Sequence, residues 1–127
     1  MVQYRPHVAV VDDDAAVRRA LVRLLRTSSF DPVGYGSAAE FLDALGARLP
    51  DCLVVDLQMP GMTGLELQQH LAKAGIKIPT IVITAHDGIG TRERCRSAGA
   101  SAYLLKPFQD ATLIAAINSA TGREQRK

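Results

Sequence analysis

The sequence predicts an α/β domain in which a doubly wound parallel sheet is covered by helices on both faces. Three observations carry this. Five strand candidates alternate with five helix candidates along the chain. Most strand candidates are continuously apolar instead of alternating, as strands buried on both sides require. A length of 127 residues fits one compact domain with a core large enough to need no disulfide or structural metal.

The elements follow in order. Val8 to Val11 is an apolar run that stops at Asp12, Asp13 and Asp14. Val17, Ala20, Leu21, Leu24 and Leu25 then recur at helical spacing, with Asp14 placed to cap the helix and Arg18, Arg19, Arg23 and Arg26 largely off the apolar stripe. A short strand is expected over Val33 to Tyr35. Ser37 and Glu40 have the reciprocal capping spacing ahead of a helix that buries Phe41, Leu42 and Leu45. Cys52 to Val55 is a strand ending at Asp56, and a turn-rich run to Gly64 leads into a helix using Leu65, Leu67 and Leu71 and ending near Gly75. Ile78 to Thr84 reads as a buried strand, with Pro79 tolerable only near its start. A loop with Gly88 and Gly90 precedes a short helix around Arg92 to Ser97. Ala102 to Leu105 is the last strand, and a final helix buries Leu113, Ile114 and Ile117 before Gly122.

Composition narrows the class. Apolar residues make up 47% and charged residues 22%, a globular balance, and the net charge of +2 says little about partners. The arginines are spread out and lack interleaved aromatics, so direct nucleic-acid binding is not expected, and Arg92, Arg94 and Arg96 read first as a solvated helix face. Cys52 and Cys95 have no CxxC spacing and read as free thiols. Neither a signal peptide nor a transmembrane helix is recognisable, which makes a cytoplasmic location the expectation.

In a parallel doubly wound sheet, ligands bind beyond the carboxyl ends of the strands, where strand order reverses. Asp12 and Asp13 follow the first strand, Asp56 the third, Thr84 closes the fourth and Lys106 follows the fifth. Converging carboxylates there need a compensating cation. Magnesium suits an all-oxygen site, with manganese as a substitute, whereas His7, His70 and His86 are too dispersed for zinc.

These residues carry a resemblance. Val-Val-Asp-Asp-Asp at 10–14, Val-Val-Asp-Leu-Gln-Met-Pro-Gly-Met-Thr-Gly at 54–64, Thr-Ala at 84–85 and Lys-Pro-Phe at 106–108 resemble the receiver domains of bacterial two-component response regulators. The similarity runs from Pro6 to Ala120. It implies strand order 2-1-3-4-5, a receiver over residues 1–120, and residues 121–127 as a polar tail or the start of a linker to an output domain. It also implies Asp56 as phosphoacceptor, with magnesium held by Asp12, Asp13, Asp56 and the Gln58 backbone carbonyl. Thr84, Ala85 and Lys106 would contact the phosphoryl group, Thr84 and Tyr103 would switch, and Pro107 would be a cis proline fixing its loop. Gln58 and His86 flank the site at positions suited to tuning phosphate loss, although two solvent-facing loop side chains would look the same.

The resemblance further implies a sensor histidine kinase or phosphotransfer protein as partner, and it leaves open a homodimer through the fourth helix, fifth strand and fifth helix. It is nearest to receivers joined to helix-turn-helix transcription outputs, whose DNA-binding domain this stretch of sequence does not contain. The chemistry expected is self-phosphorylation and slow autodephosphorylation, not multiple turnover. Two other readings use the same residues. A small magnesium-dependent phosphohydrolase also forms an aspartyl phosphate, but usually adds a second acid or base and a cap insertion. A pseudo-receiver would bind partners without phosphorylation, which retention of all the residue types disfavours. A flavodoxin would need a phosphate loop and isoalloxazine-stacking surfaces that are not evident.

Overall fold

The computed structural model describes residues 4–122. Five strands, β1 (His7–Val11), β2 (Asp31–Tyr35), β3 (Cys52–Asp56), β4 (Thr80–Thr84) and β5 (Ala100–Leu105), form one sheet in the order β2-β1-β3-β4-β5. Every pairing is parallel. Helices α1 (Ala15–Thr27), α2 (Ala38–Leu45), α3 (Gly64–Lys73), α4 (Thr91–Ser97) and α5 (Asp110–Ala120) connect the strands.

The continuous apolar runs are explained by two cores, one on each face of the sheet. Successive strand residues point to opposite faces. Ala9, Val11, Leu53, Val55 and Val82 therefore pack with Phe41, Leu45, Leu67, Leu71 and Cys95 from α2, α3 and α4. Val8, Val10, Cys52, Val54, Ile81 and Ile83 pack with Leu21, Leu25, Leu113 and Ile117 from α1 and α5. Every residue of β1, β3 and β4 is buried. Cys52 and Cys95 are free and fully enclosed, and burial pushes the Cys52 thiol up to about 12.

The strand order reverses between β1 and β3, because the chain leaves β1 for β2 on one side and returns to β3 on the other. Register then aligns the carboxyl ends: Val11 pairs with Val55, Asp56 with Ile83, and Thr84 with Leu105.

Several local expectations are revised. β2 begins at Asp31 and contains Pro32, which an edge strand tolerates because one row of its N–H groups needs no partner. β4 begins at Thr80, and Ile78 stays buried just outside it. β5 begins at Ala100, with a register irregularity opposite Thr80 and Ile81. Ala20 is exposed although it lies at helical spacing from the α1 stripe, while Phe30, just after α1, is 1% exposed.

Asp14 caps α1 by accepting from Ala16 N and Val17 N. Ser37 Oγ accepts from Glu40 N, but Glu40 reaches back to Gly36 N, so the expected box at α2 is displaced by one residue. The closed capping box lies at α3, where Thr63 Oγ1 accepts from Glu66 N and Glu66 Oε1 accepts from Thr63 N. The expected tail at 121–127 begins with the α5 cap at Thr121 and Gly122, and residues 123–127 lie outside the described residues. Among the described residues no helix is long and apolar enough to cross a membrane.

Candidate functional site

β1 runs directly into Asp12 and β3 ends in Asp56, and the parallel register carries these carboxylates to the same edge. Asp12 is fully buried, Asp56 is 6% exposed and Asp13 is exposed, and one oxygen from each lies within 4.8 Å of the others. Asp12 is held firmly. Its Oδ1 accepts from Asp14 N at 2.9 Å, and Arg18 folds back across the strand end to donate Nη1 to Asp12 O at 2.7 Å. Arg18 also packs against Gly34, where a Cβ would come within 3.0 Å of its side chain, so that glycine makes room for the arm.

Lys106 enters from β5. Its Nζ lies 3.4 Å from Asp56 Oδ1 and 3.6 Å from Asp12 Oδ2. Its backbone N donates to Thr84 O at 2.8 Å, and the Lys106–Pro107 bond is cis. One ammonium answers two of the three carboxylates, so it does not by itself balance the cluster. Burial, followed by the Asp12 carboxylate, holds the Asp56 carboxyl above its usual range, with Lys106 opposing the shift. Asp12 Oδ2 is buried with no hydrogen-bond donor, although Lys106 lies nearby. An all-oxygen set with a buried lone pair left over fits a hard divalent cation better than a soft one, and Asp12, Asp13 and Asp56 are the residues that could hold it.

The loop after β3 is pinned on both sides. Leu57 N donates to Ile83 O at 2.8 Å and Gly64 N donates to Leu57 O at 3.0 Å. Gly64 must lack a side chain here, since a Cβ would meet Asp56 O at 2.7 Å. Gln58 follows, exposed, and Thr84 Oγ1 donates to its Oε1 at 2.6 Å. Thr84 is fully buried as a residue, and its Oγ1 also lies 2.9 Å from His86 O and accepts from His86 N at 3.1 Å. Ala85 and His86 are exposed beyond the end of β4.

Tyr103, in β5, donates its hydroxyl to Asp87 Oδ1 at 3.0 Å, and the Arg92 guanidinium lies 4.8 Å from its ring centroid. Burial first, then the bond to Asp87, pushes the Tyr103 hydroxyl up to about 12. Asp12, Asp13, Asp56 and Lys106 thus come together directly, with Thr84 at the end of β4 and Gln58 on the adjoining loop. Tyr103 belongs to a neighbouring arrangement with Asp87 and Arg92. Sequence reasoning did not single out Asp87, Arg18 or Gly64 for the site. Arg18 carries no local signal, because it acts on residues brought near only by the fold, and Gly64 stands in the sequence only as the last residue of the run at 54–64, with no role of its own. A cleft of about 440 Å³ lined by Gln68, Leu71, Ile76, Pro79 and Gly99 opens at the amino-terminal edge of β4, away from the carboxylates.

A doubly wound α/β domain with an acidic site at its switch point, answered by a lysine, defines the class of this molecule. The chain belongs to the response regulator receiver domain family, whose model matches residues 8–118. Nodulation protein W of Bradyrhizobium diazoefficiens is 40% identical over 120 residues, covering 94% of this chain and 53% of that protein. The transcriptional regulatory protein FixJ of Azorhizobium caulinodans is 41% identical over 116 residues, covering 91% of this chain and 55% of that protein. A crystal structure of a response regulator receiver protein from Burkholderia phymatum superposes with a TM-score of 0.83 at 48% identity, covering 94% of this chain and 98% of that one. The chain spans about half the length of the curated relatives it matches.

Proposed function

We propose that the chain is a phosphoacceptor switch in which Asp56 takes a phosphoryl group from the phosphohistidine of a sensor kinase or phosphotransfer protein. The observation that carries this reading is the convergence of Asp12, Asp13, Asp56 and Lys106 on one strand edge in a chain of the receiver family. A carboxylate oxygen of Asp56 attacks phosphorus as the bond to the donor's imidazole nitrogen breaks, and the electron pair stays on that nitrogen. Magnesium, when bound, supplies charge compensation between the phosphoryl oxygens and the carboxylates. Asp12, Asp13, Asp56 and the Gln58 carbonyl are its proposed ligands, and manganese would substitute.

Lys106 neutralises the phosphoryl oxygens from the β5 side, Thr84 donates a hydrogen bond to one of them, and the exposed Ala85 leaves room for the group. Pro107 shapes the loop that carries Lys106. His86 and Gln58 flank the site as candidates for setting phosphate lifetime. Drawing Thr84 inward would let Tyr103 follow, shifting a balance of conformations on the face formed by α4, β5 and α5. Exposed Ile89 and Leu105, near that face, are apolar surface a second copy could cover.

The curated relatives include transcriptional regulatory proteins about twice as long. By that likeness we place this domain, residues 1–120, ahead of a transcription output, with residues 121–127 beginning the connection, and its work in the cytoplasm. Intact-mass measurement after incubation with acetyl phosphate or a phosphohistidine donor tests the central step. A magnesium-dependent phosphoryl adduct, lost with chelator and in Asp56→Asn, is expected. No adduct on the wild-type chain overturns the reading.

A further inference from the structure

Thr84 has a single hydroxyl proton, and two acceptors compete for it: Gln58 Oε1 at 2.6 Å and His86 O at 2.9 Å. The Gln58 amide is oriented with its oxygen toward the hydroxyl, at a separation within the O–H···O range. His86 N occupies one of the Thr84 lone pairs. The one proton of the hydroxyl is therefore already engaged before any phosphoryl group arrives.

Gln58 can hold this position because its loop is fixed at both ends, by Leu57 N on Ile83 O and Gly64 N on Leu57 O. Asp56 pairs with Ile83 in the sheet, one residue before Thr84, so the hydroxyl and the carboxylate end adjacent strands. Thr84 cannot donate to a group on Asp56 while its proton remains on Gln58.

We propose that the Gln58 side chain is a latch on Thr84, a positioning residue that stabilises the unphosphorylated arrangement and must release the hydroxyl for the switch to engage. This rests on the reading of Asp56 as phosphoacceptor and Thr84 as its phosphoryl contact. The latch is weak by design of its surroundings: Gln58 is exposed, water competes for its amide, and the net gain from such a neutral hydrogen bond is small. Removing it takes away the nearer of the two acceptors and leaves only His86 O, at 2.9 Å, to compete with a phosphoryl oxygen for the Thr84 proton, so affinity for a phosphoryl mimic rises, by about three- to tenfold.

The test is a double-mutant cycle read by beryllofluoride titration with magnesium. Gln58→Met, close in shape but without the amide oxygen, and Gln58→Ala as a second variant are each placed in Thr84 and Thr84→Ala backgrounds. The latch predicts tighter beryllofluoride binding for both variants with Thr84 present, and no change from either once Thr84 is alanine. Unchanged or weaker binding in the Thr84 background overturns it, as does an equal change in both backgrounds. Exchange of the Thr84 hydroxyl proton with water, followed by NMR, gives a readout free of phosphoryl chemistry: slow in the unliganded wild type and faster in both Gln58 variants, which keep only the longer bond to His86 O. An unchanged exchange rate in the variants overturns the latch. Failure of the wild-type chain to bind beryllofluoride counts instead against the phosphoacceptor reading, and the hydroxyl exchange rates still decide the latch.

Discussion

The two sides of the sheet's carboxyl edge are built differently. On one side, β1, β3 and β4 are buried along their whole length, and the chain leaving β3 enters α3 through a closed capping box. On the other, no residue of β5 is fully buried, residues 85–90 are exposed, and α4 is preceded by an N-cap at Gly90, in the left-handed region, with no side-chain cap. The carboxylates sit on the first side, while Tyr103 and its contacts with Asp87 and Arg92 belong to the second. Charged groups must be held at fixed separations, whereas a surface that reports a change must have a second arrangement within reach. Local stability follows buried apolar contact, so the two demands fall on different parts of one sheet.

The largest expected effect tests that gradient directly. Leu53→Ala, at a fully enclosed position of β3, should cost about 3 kcal/mol, and Leu104→Ala, half-buried in β5, about 1 kcal/mol, both by urea denaturation. Equal losses would erase the distinction. Gly64→Ala comes next, at about 2 kcal/mol. The helix-propensity gain is outweighed by a Cβ placed 2.7 Å from Asp56 O and 3.0 Å from Leu57 Cα, neither of which can move cheaply. A neutral or stabilising result would mean that the loop after β3 is looser than its hydrogen bonds imply.

A smaller effect concerns charge. Because burial and Asp12 raise the Asp56 carboxyl, its ionised form costs the folded state stability. That stability is fully present below the unfolded carboxyl's value near ~4 and is lost as pH rises through the folded value. Asp56→Asn should therefore melt about 2–5 °C higher than the wild type at pH 7 in chelator, and the difference should vanish in acid. A lower melting temperature at pH 7 would contradict the assignment of sign. Smallest is Asp87→Ala, which should bring Tyr103 down from about 12 only part of the way, since burial is the larger cause. Phenolate absorbance against pH measures it, and an unmoved titration would detach Asp87 from Tyr103.

The legible parts of the molecule are those where local pattern and tertiary demand agree. β1, β3 and β4 were readable because strands buried on both faces must be apolar along most of their length, and each leads to a polar residue of the site: Asp12 just after β1, Asp56 at the end of β3 and Thr84 at the end of β4. The start of β2 was not, since Pro32 and Gly34 resemble a turn until the strand is known to lie at an edge. The start of β5 was missed because Ala100 and Ser101 have little strand preference and gain their place by pairing with β4. Within the site, Asp12, Asp13, Asp56 and Lys106 stood out by position at strand ends. The bond between Gln58 and Thr84 did not, because it joins residues 26 apart in sequence through the spacing of two loops. Gln68 is another such case: a polar residue on α3 that is 3% exposed and donates to Cys95 O of α4, a link with no local signature.

The two enclosed sulfurs give this architecture a built-in pair of probes. Cys52 lies in β3 and Cys95 in α4, one in each region, and neither meets solvent in the closed molecule. With its proton bound as tightly as burial dictates, Cys52 can react with an alkylating reagent only after its strand separates from its neighbours. Cys95 needs only its own helix, α4, to lift from the core. Labelling kinetics at the two sites therefore time two separate opening events in the natural sequence, with no introduced tag.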